Sequence, residues 1–169
     1  LCFQGDVPTA FLRGHRDPKR GVVLMKAPPW FQVPAGRVLR LDKHVYGEDD
    51  APMIWYLTWR ADCITFGFQV HPPDQCGFTF YMVVEGFDWK LELAGHVVLH
   101  VDDFSAAGSA WFMAEVFAPL CNHFGAKEIR CLKDRLTVVL QIQDEDTAET
   151  TLMQEDYAST ILPIEKEDK

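Results

Sequence analysis

The sequence predicts an all-β fold: an antiparallel β-sandwich of about seven to eight strands with one short helix or turn. Three observations favour this class. Apolar residues alternate with polar ones at a period of two along most of the chain. Candidate strands recur about every 10 to 14 residues, and Pro and Gly separate them. The 169 residues are enough for one domain with a substantial core.

The chain begins with LCFQG, which resembles the remnant of an engineered protease site with Cys2 in place of the usual Tyr. The alternative is a native N-terminus that happens to match. On the first interpretation, residues 1–5 are left out of the predicted fold. Residues 6–20 are then an N-terminal extension, residues 21–143 form the β-sandwich domain, and residues 144–169 form an acidic tail.

The strands are predicted in chain order from their alternation. Two short candidates, GVVLMKAP and GRVLRLDK, precede APMIWYLTWRAD, which is apolar or aromatic on both faces. CITFGFQVHPP, GFTFYMVVEG and DRLTVVLQIQ each place apolar residues on one face. DWKLELAGHVVLHVDD divides into two short strands around Ala94-Gly95, and SAWFMAEVFAP is interpreted as a further strand. EVFAPLCNHFGAKE favours a helix, which Pro119 limits to a turn or two.

The net charge of −9 is concentrated near the C-terminal end. Residues 144–169 hold nine acidic and two basic residues, whereas residues 1–143 hold 16 acidic and 14 basic ones. Neither part shows the basic stripe typical of phosphate binding, so we expect no nucleic-acid partner. No run of 18 apolar residues is present, so we expect no membrane span.

The cysteines beyond Cys2 do not have the spacing of a metal site. Cys63, Cys76, Cys121 and Cys131 include no C-x-x-C pair. We therefore predict free thiols, which are typical of a cytoplasmic protein, with the nucleus as the alternative compartment.

The histidines are the first candidates for catalysis. His96 and His100 lie four residues apart in a predicted strand, with Asp102 further along. Cupin-type metal sites use a closer pair of histidines, so a solvent-facing position is favoured for these two. His123 lies near Cys121 without an orienting partner for a nucleophile, and no glycine-rich phosphate loop is present. We predict no catalytic residue, no metal, no cofactor and no enzymatic activity.

Aromatic residues are more numerous than two inner sheet faces require, with five Trp and 12 Phe. SAWFMAEVFAP places Trp111 and Glu115 on one face and Phe112 on the other, so one face is expected to line a groove. Together with Tyr81 from a neighbouring strand, these three are the predicted partner-binding residues. A short segment of a partner protein would pair with an edge strand through main-chain hydrogen bonds.

The segments from CITFGFQVHPPDQCGFTFYMVVEGFD through HVVLHVDD to CLKDRLTVVLQIQ resemble the TRAF-like domain shared by TRAF, MATH and Siah proteins. The order is most similar to the C-terminal domain of the cysteine- and histidine-rich RING/TRAF-type zinc-finger proteins. The resemblance covers about residues 53–143. It implies a docking module for a short peptide, as in the substrate- or adaptor-binding part of a ubiquitin ligase.

Two alternatives remain open at this point. The first is a metal-dependent or small-ligand-binding jelly roll in which His96 and His100 face a cavity. The second is a structural assembly domain. The sequence leaves the oligomeric state open.

Overall fold

The computed structural model describes residues 2–16, 19, 21–84, 90–131, 135–136, 139–143, 147, 149–153 and 158–159. The strands are β1 (Cys2–Asp6), β2 (Val23–Met25), β3 (Leu39–Leu41), β4 (Gln69–Val70), β5 (Gly77–Val84), β6 (Lys90–His100), β7 (Asp103–Gly108), β8 (Lys127–Cys131), β9 (Arg135–Leu136), β10 (Val139–Gln143) and β11 (Thr150–Met153). The helices are α1 (Ala10–Arg13), α2 (Ala51–Thr65), α3 (Ala110–Phe112) and α4 (Ala118–Phe124), with a π-helical turn (Met113–Phe117) between the last two.

Antiparallel sheets contain more of the described chain than the helices do. The largest sheet has six strands in the order β4-β5-β6-β7-β1-β8. β2 pairs with β3, and β9, β10 and β11 form a small sheet of their own. The predicted sandwich of two facing sheets is not confirmed, because side chains of α2, α3 and α4 pack on one face of the large sheet to form the core.

Strand β1 lies inside the large sheet. It pairs with β7 on one side and with β8 on the other. At Gly5, an added Cβ would lie 2.5 Å from the ring of Phe104, so the ring packs directly on the backbone of β1. The predicted fold does not include residues 1–5, whereas in the structure residues 2–5 supply most of an interior strand.

Helix α2 replaces the strand predicted for APMIWYLTWRAD. Pro52 lies in its first turn, where the missing N–H removes no helical hydrogen bond. The buried residues recur at the helical period and not at a period of two; they are Ala51, Trp55, Thr58, Trp59 and Cys63. The helix also includes Cys63 to Thr65, so the strand predicted to begin there is limited to Gln69–Val70.

The segment SAWFMAEVFAP is helical as well. Ser109 caps α3, and its hydroxyl accepts a hydrogen bond of 3.1 Å from the backbone N–H of Phe112. Phe112 is buried, and its ring would overlap a Cβ placed on either Gly95 or Gly108. The predicted strand is therefore wrong, whereas the predicted short helix around Pro119 is confirmed by α4.

Strand β6 is one long strand and not two short ones. Its pairing with β5 shifts between Phe80 and Tyr81, where Ala94 is the extra residue on the β6 side. The predicted strand in DRLTVVLQIQ corresponds to β9 and β10, and residues 137–138 between them lie outside the described residues. Among the described residues, no helix is long and apolar enough to cross a bilayer.

Aromatic rings dominate the core between the helices and the sheet. Trp59 is fully buried, with ring centroids 4.5 Å from Phe124 and 5.9 Å from Phe104. Trp55 lies against Trp59 and donates its indole N–H to the turn that follows β6. The core therefore joins α2 directly to one end of the sheet, which is where the candidate site lies.

Candidate functional site: an acidic cluster at the end of the sheet

The site is built on the two-residue turn between β6 and β7. His100 pairs with Asp103, so Val101 and Asp102 form the turn. Val101 has a φ of 59°, a left-handed conformation that is strained for a β-branched residue. The Trp55 indole donates to the Val101 carbonyl at 2.6 Å, and this bond helps to hold the turn in place.

Strand β1 brings a third carboxylate to this turn. Asp6 is the direct cross-strand partner of Asp103, and the N–H of Val7 donates to the Asp102 carbonyl at 2.9 Å. In the preceding pair, Gly5 and Phe104 face the helices. Since successive residues of a strand point to opposite faces, Asp6 and Asp103 lie on the face away from the helices. We call this the second face of the sheet.

The three carboxylates form a compact cluster. One oxygen each from Asp6, Asp102 and Asp103 can be chosen so that all three lie within 4.8 Å of one another, and each residue is half-buried. Burial, followed by the charges of Asp102 and Asp6, raises the pKa of Asp103, and His100 opposes this shift. Like charges held this close favour a bound cation.

Two aromatic residues lie beside the cluster. The rings of Phe11 and Tyr46 are 4.4 Å apart, and Phe11 belongs to the helix that follows β1. Partial desolvation, and then the charges of Asp102 and Asp6, raise the pKa of the Tyr46 hydroxyl. Tyr46 is therefore near the acids, on a loop that ends at α2.

A charged network holds that loop. Arg16 donates to both carboxylate oxygens of Glu48, at 2.9 and 3.0 Å, and to the carbonyl of Lys43. His44 is 1% exposed, with its Nδ1 2.9 Å from Glu48 Oε2 and 3.8 Å from Asp50 Oδ1. His44, Glu48 and Asp50 are a second group with ligand atoms close together. Because Arg16 already occupies both oxygens of Glu48, we interpret this group as a structural ion-pair network.

The structure does not bring the predicted partner-binding residues together. Phe112 is a core residue, which corrects its assignment to a surface groove. Trp111 is 46% exposed and lies near the ring of Phe80 on the helical side. Tyr81 follows Phe80 in β5, so it projects from the second face. Glu115 is exposed on the π-helical turn.

The histidines of the jelly-roll alternative do not form a metal site with Asp102. His96 lies opposite Thr79 and close to His71, with ring centroids 5.6 Å apart. Burial, and then His71, lower the pKa of His96. Within the described ranges, neither His96 nor His100 belongs to a group of three ligand atoms.

Sequence reasoning noted Asp102 but missed Asp6 and Asp103. Asp6 directly follows the segment that was set aside as a remnant. The available signal was the pair Asp102-Asp103 at a turn between two alternating apolar segments. The partner of that pair could not be identified without the position of β1.

An oxygen-only cluster of this kind could hold a hard divalent cation, because carboxylate oxygens are the ligands that such cations take. Mg²⁺ prefers carboxylates and commonly bridges them to substrate phosphates in polymerases and kinases. Among the residues that the structure describes, no Cys or His contributes to the cluster, so the donor set does not favour zinc.

Comparison with known proteins identifies the family. A family model described as Reverse transcriptase (RNA-dependent DNA polymerase) matches residues 1–167. Because the match includes almost the whole sequence, the chain belongs to this family. No curated protein and no solved structure matches the chain.

The family membership overturns several predictions. The resemblance to the TRAF-like domains, including those of the zinc-finger proteins, is wrong, and so is the implied role in a ubiquitin ligase. The prediction that the protein has no enzymatic character is also wrong, because the family is one of polymerases. The resemblance rested on the order of strands and turns, which unrelated antiparallel sheets share.

Proposed function

We propose that the chain carries the polymerase activity of its family, the synthesis of DNA on an RNA template. The observation that supports this most directly is the carboxylate cluster of Asp6, Asp102 and Asp103. In that reaction, the primer's terminal hydroxyl oxygen bonds to the α-phosphorus of a deoxynucleoside triphosphate, and pyrophosphate leaves. Nucleic acid replaces the protein partner expected from the sequence.

The chain's own residues supply position and charge. Asp6, Asp102 and Asp103 would hold divalent cations, which stabilise the charge that develops on the transferred phosphate. β1 and the β6–β7 turn fix these carboxylates, because Val7 and Trp55 hydrogen-bond to the turn. Preorganised charge of this kind is usually the largest contribution to such catalysis.

Primer extension tests the proposal. The wild-type chain, an RNA template with a DNA primer, deoxynucleoside triphosphates and Mg²⁺ should give extended primer. Asp102→Asn should lower kcat by about 100-fold or more, because removing a metal ligand forfeits several kcal/mol of transition-state stabilisation. Glu92→Gln is the control for extension, since Glu92 is an exposed carboxylate paired with Lys90 outside the cluster; Asp42→Asn, an exposed carboxylate paired with Arg40, is the control for metal binding.

Metal binding provides a second measurement. Mn²⁺ titration followed by electron paramagnetic resonance should show binding to the wild type and to Asp42→Asn, with loss of binding in Asp102→Asn. Full extension by Asp102→Asn, or equal Mn²⁺ binding by all three proteins, would contradict the assignment of the site.

A further inference from the structure

The β2–β3 hairpin and its loop form a segment that the carboxylate cluster does not use. We call residues 21–43 the arm; all of them lie within the described part of the chain. β2 and β3 pair through Val23 with Leu41 and through Met25 with Leu39. The loop between them runs from Lys26 to Val38 and is rich in proline and aromatic residues.

The charge of this region is opposite to that of the rest of the protein. The arm, residues 21–43, contains four Lys or Arg and one Asp, a net charge of +3. The remaining residues contain 12 basic and 24 acidic side chains, a net charge of −12. A basic segment on an otherwise acidic protein attracts a polyanion to that segment and not to the rest of the surface.

The arm also exposes aromatic rings at its loop. Trp30 is 84% exposed and the adjacent Phe31 is 54% exposed. Exposed aromatic rings among basic residues are the pattern by which proteins bind single strands, since unpaired bases stack on the rings while cations contact the phosphates.

Two exposed cations flank these rings. Lys26 and Arg37 are exposed at the two ends of the loop. Among the described residues, neither forms an ion pair, whereas Arg40 is paired with Asp42 at 2.8 Å. Lys26 and Arg37 are therefore available for phosphate contacts, and Arg40 contributes less.

Two contacts join the chain before the arm to the chain after it. Phe11 precedes the arm and Tyr46 follows it, and their rings are in contact. Arg16, before the arm, is paired with Glu48, after it. These contacts hold the two ends of the arm together, and Tyr46 beyond it is close enough to Asp102 and Asp6 for their charges to raise the pKa of its hydroxyl.

We infer that the arm is a binding surface for single-stranded nucleic acid, with Trp30 and Phe31 stacking on bases and Lys26 and Arg37 contacting phosphates. The identification of that strand as the RNA template rests on the proposed function. The strand binding itself does not, since it requires neither metal nor nucleotide.

Binding of a fluorescein-labelled oligouridylate of about 20 nucleotides, which exceeds the site size of a single-strand-binding domain, tests the inference. Fluorescence anisotropy in EDTA between about 50 and 200 mM salt gives both the Kd and its salt dependence. Trp30→Ala should raise the Kd by about fivefold or more and leave the salt slope unchanged, because stacking carries no charge. Lys26→Ala and Arg37→Ala should each reduce the slope by about 0.7, one phosphate contact on a single strand.

The controls match each variant in chemistry. Trp111→Ala removes an exposed Trp outside the arm, and Lys90→Ala removes an exposed Lys that pairs with Glu92 on another hairpin. Both should bind like the wild type. Equal effects of Trp30→Ala and Trp111→Ala, or no binding by the wild type, would overturn the inference.

The outcome separates this inference from the proposed function. Trp30-dependent binding by a chain that does not extend a primer would support the arm and reject the polymerase assignment. Primer extension by a chain whose oligouridylate binding is unchanged by Trp30→Ala would support the polymerase assignment and reject the arm as the binding surface. Tighter binding to a blunt RNA duplex than to the single strand would also contradict stacking by Trp30.

Discussion

At the scale of single residues, the site depends on the conformation of Val101. A β-branched residue with positive φ costs about 1–3 kcal/mol, and the surrounding hydrogen bonds must offset that cost. The donors are the indole of Trp55 to Val101 and the N–H of Val7 to Asp102. The strained residue and the hydrogen bonds that stabilise its conformation both lie at the turn that carries two of the three carboxylates.

Replacing Val101 with Gly should increase the free energy of unfolding by about 1 kcal/mol, because Gly adopts positive φ without a Cβ clash. Urea unfolding followed by circular dichroism would measure it. Val83→Gly is the control, since Val83 is similarly exposed but lies in regular strand β5, where Gly should destabilise. A lower stability for Val101→Gly would contradict the strain argument.

In metal-free protein, the ionisation of Asp103 should lower the free energy of unfolding as the pH rises. Its pKa is raised in the folded state, chiefly by burial and then by Asp102 and Asp6. The folded state then binds the proton more tightly than the unfolded state, so stability is highest below the unfolded pKa and is lost as the pH rises through the folded pKa. Asp103→Asn should remove this pH-dependent part of the free energy of unfolding. The variant should therefore be more stable than the wild type at neutral pH in EDTA.

Asp103→Asn also distinguishes metal binding from simple repulsion between the carboxylates of the cluster. Mg²⁺ should raise the unfolding midpoint of the wild type, because a ligand that binds only the folded state stabilises it. It should have a smaller effect on Asp103→Asn. Asp42→Asn should keep the wild-type response to both pH and Mg²⁺, and identical pH profiles for all three proteins would contradict the prediction.

At the scale of elements, α3 is fixed by the direct contact of Phe112 with β6 and β7. A Cβ on Gly95 would lie 2.3 Å from the ring of Phe112. Gly95→Ala should therefore cost about 1–3 kcal/mol through overpacking, measured by urea unfolding. Gly21→Ala is the control, because a Cβ there meets nothing within 4 Å.

A double variant identifies the cause of that loss. Combining Gly95→Ala with Phe112→Ala should cost less than the sum of the single changes, because the small side chain removes the overlap. Additive losses would place the effect elsewhere in β6.

The elements also show how far the sequence could be read. The apolar alternation correctly predicted β5 and the short candidates that became β2 and β3. It failed for α2, because Trp55, Trp59 and Cys63 repeat at helical spacing within a segment that is apolar at most other positions too. When nearly every position is apolar, periods of two and 3.6 both fit, and packing against the sheet decides between them.

At the scale of the whole molecule, β1 joins β7 to β8 within the large sheet. Deleting residues 1–5 should abolish cooperative urea unfolding, because both neighbouring strands would lose their hydrogen-bonding partner. Cys2→Ala should keep cooperative unfolding, since main-chain pairing does not depend on that side chain. Unfolding of the truncated chain at the wild-type midpoint would contradict the role assigned to β1.

The distribution of charge shows why the sequence suggested no nucleic-acid partner. Counted over residues 1–143, basic and acidic side chains nearly cancel. The same residues include a basic segment at 13–43 and acidic clusters elsewhere. Under the proposed function, the basic segment and the carboxylates of the β6–β7 turn have different roles, which a net charge over the whole range conceals.

The sequence by itself determined the strands with clear alternation, the short helix at Pro119, and free thiols at Cys63, Cys76 and Cys121. Burial raises the pKa of Cys121 to about 12, in keeping with an inert core thiol. Cys131 lies where side chains are outside the described residues. These features follow from each residue and its near neighbours, which a linear sequence records.

Only the tertiary structure decided the candidate site. Asp6 and Asp103 are far apart in the chain and become neighbours because β1 enters the sheet beside β7 in a register that pairs them. A shift of one residue would turn Asp6 towards the helices and dissolve the cluster. Register depends on how the strands, the rings of Phe104 and Phe112, and the glycines beneath them fit together, and no local pattern in the sequence encodes that fit.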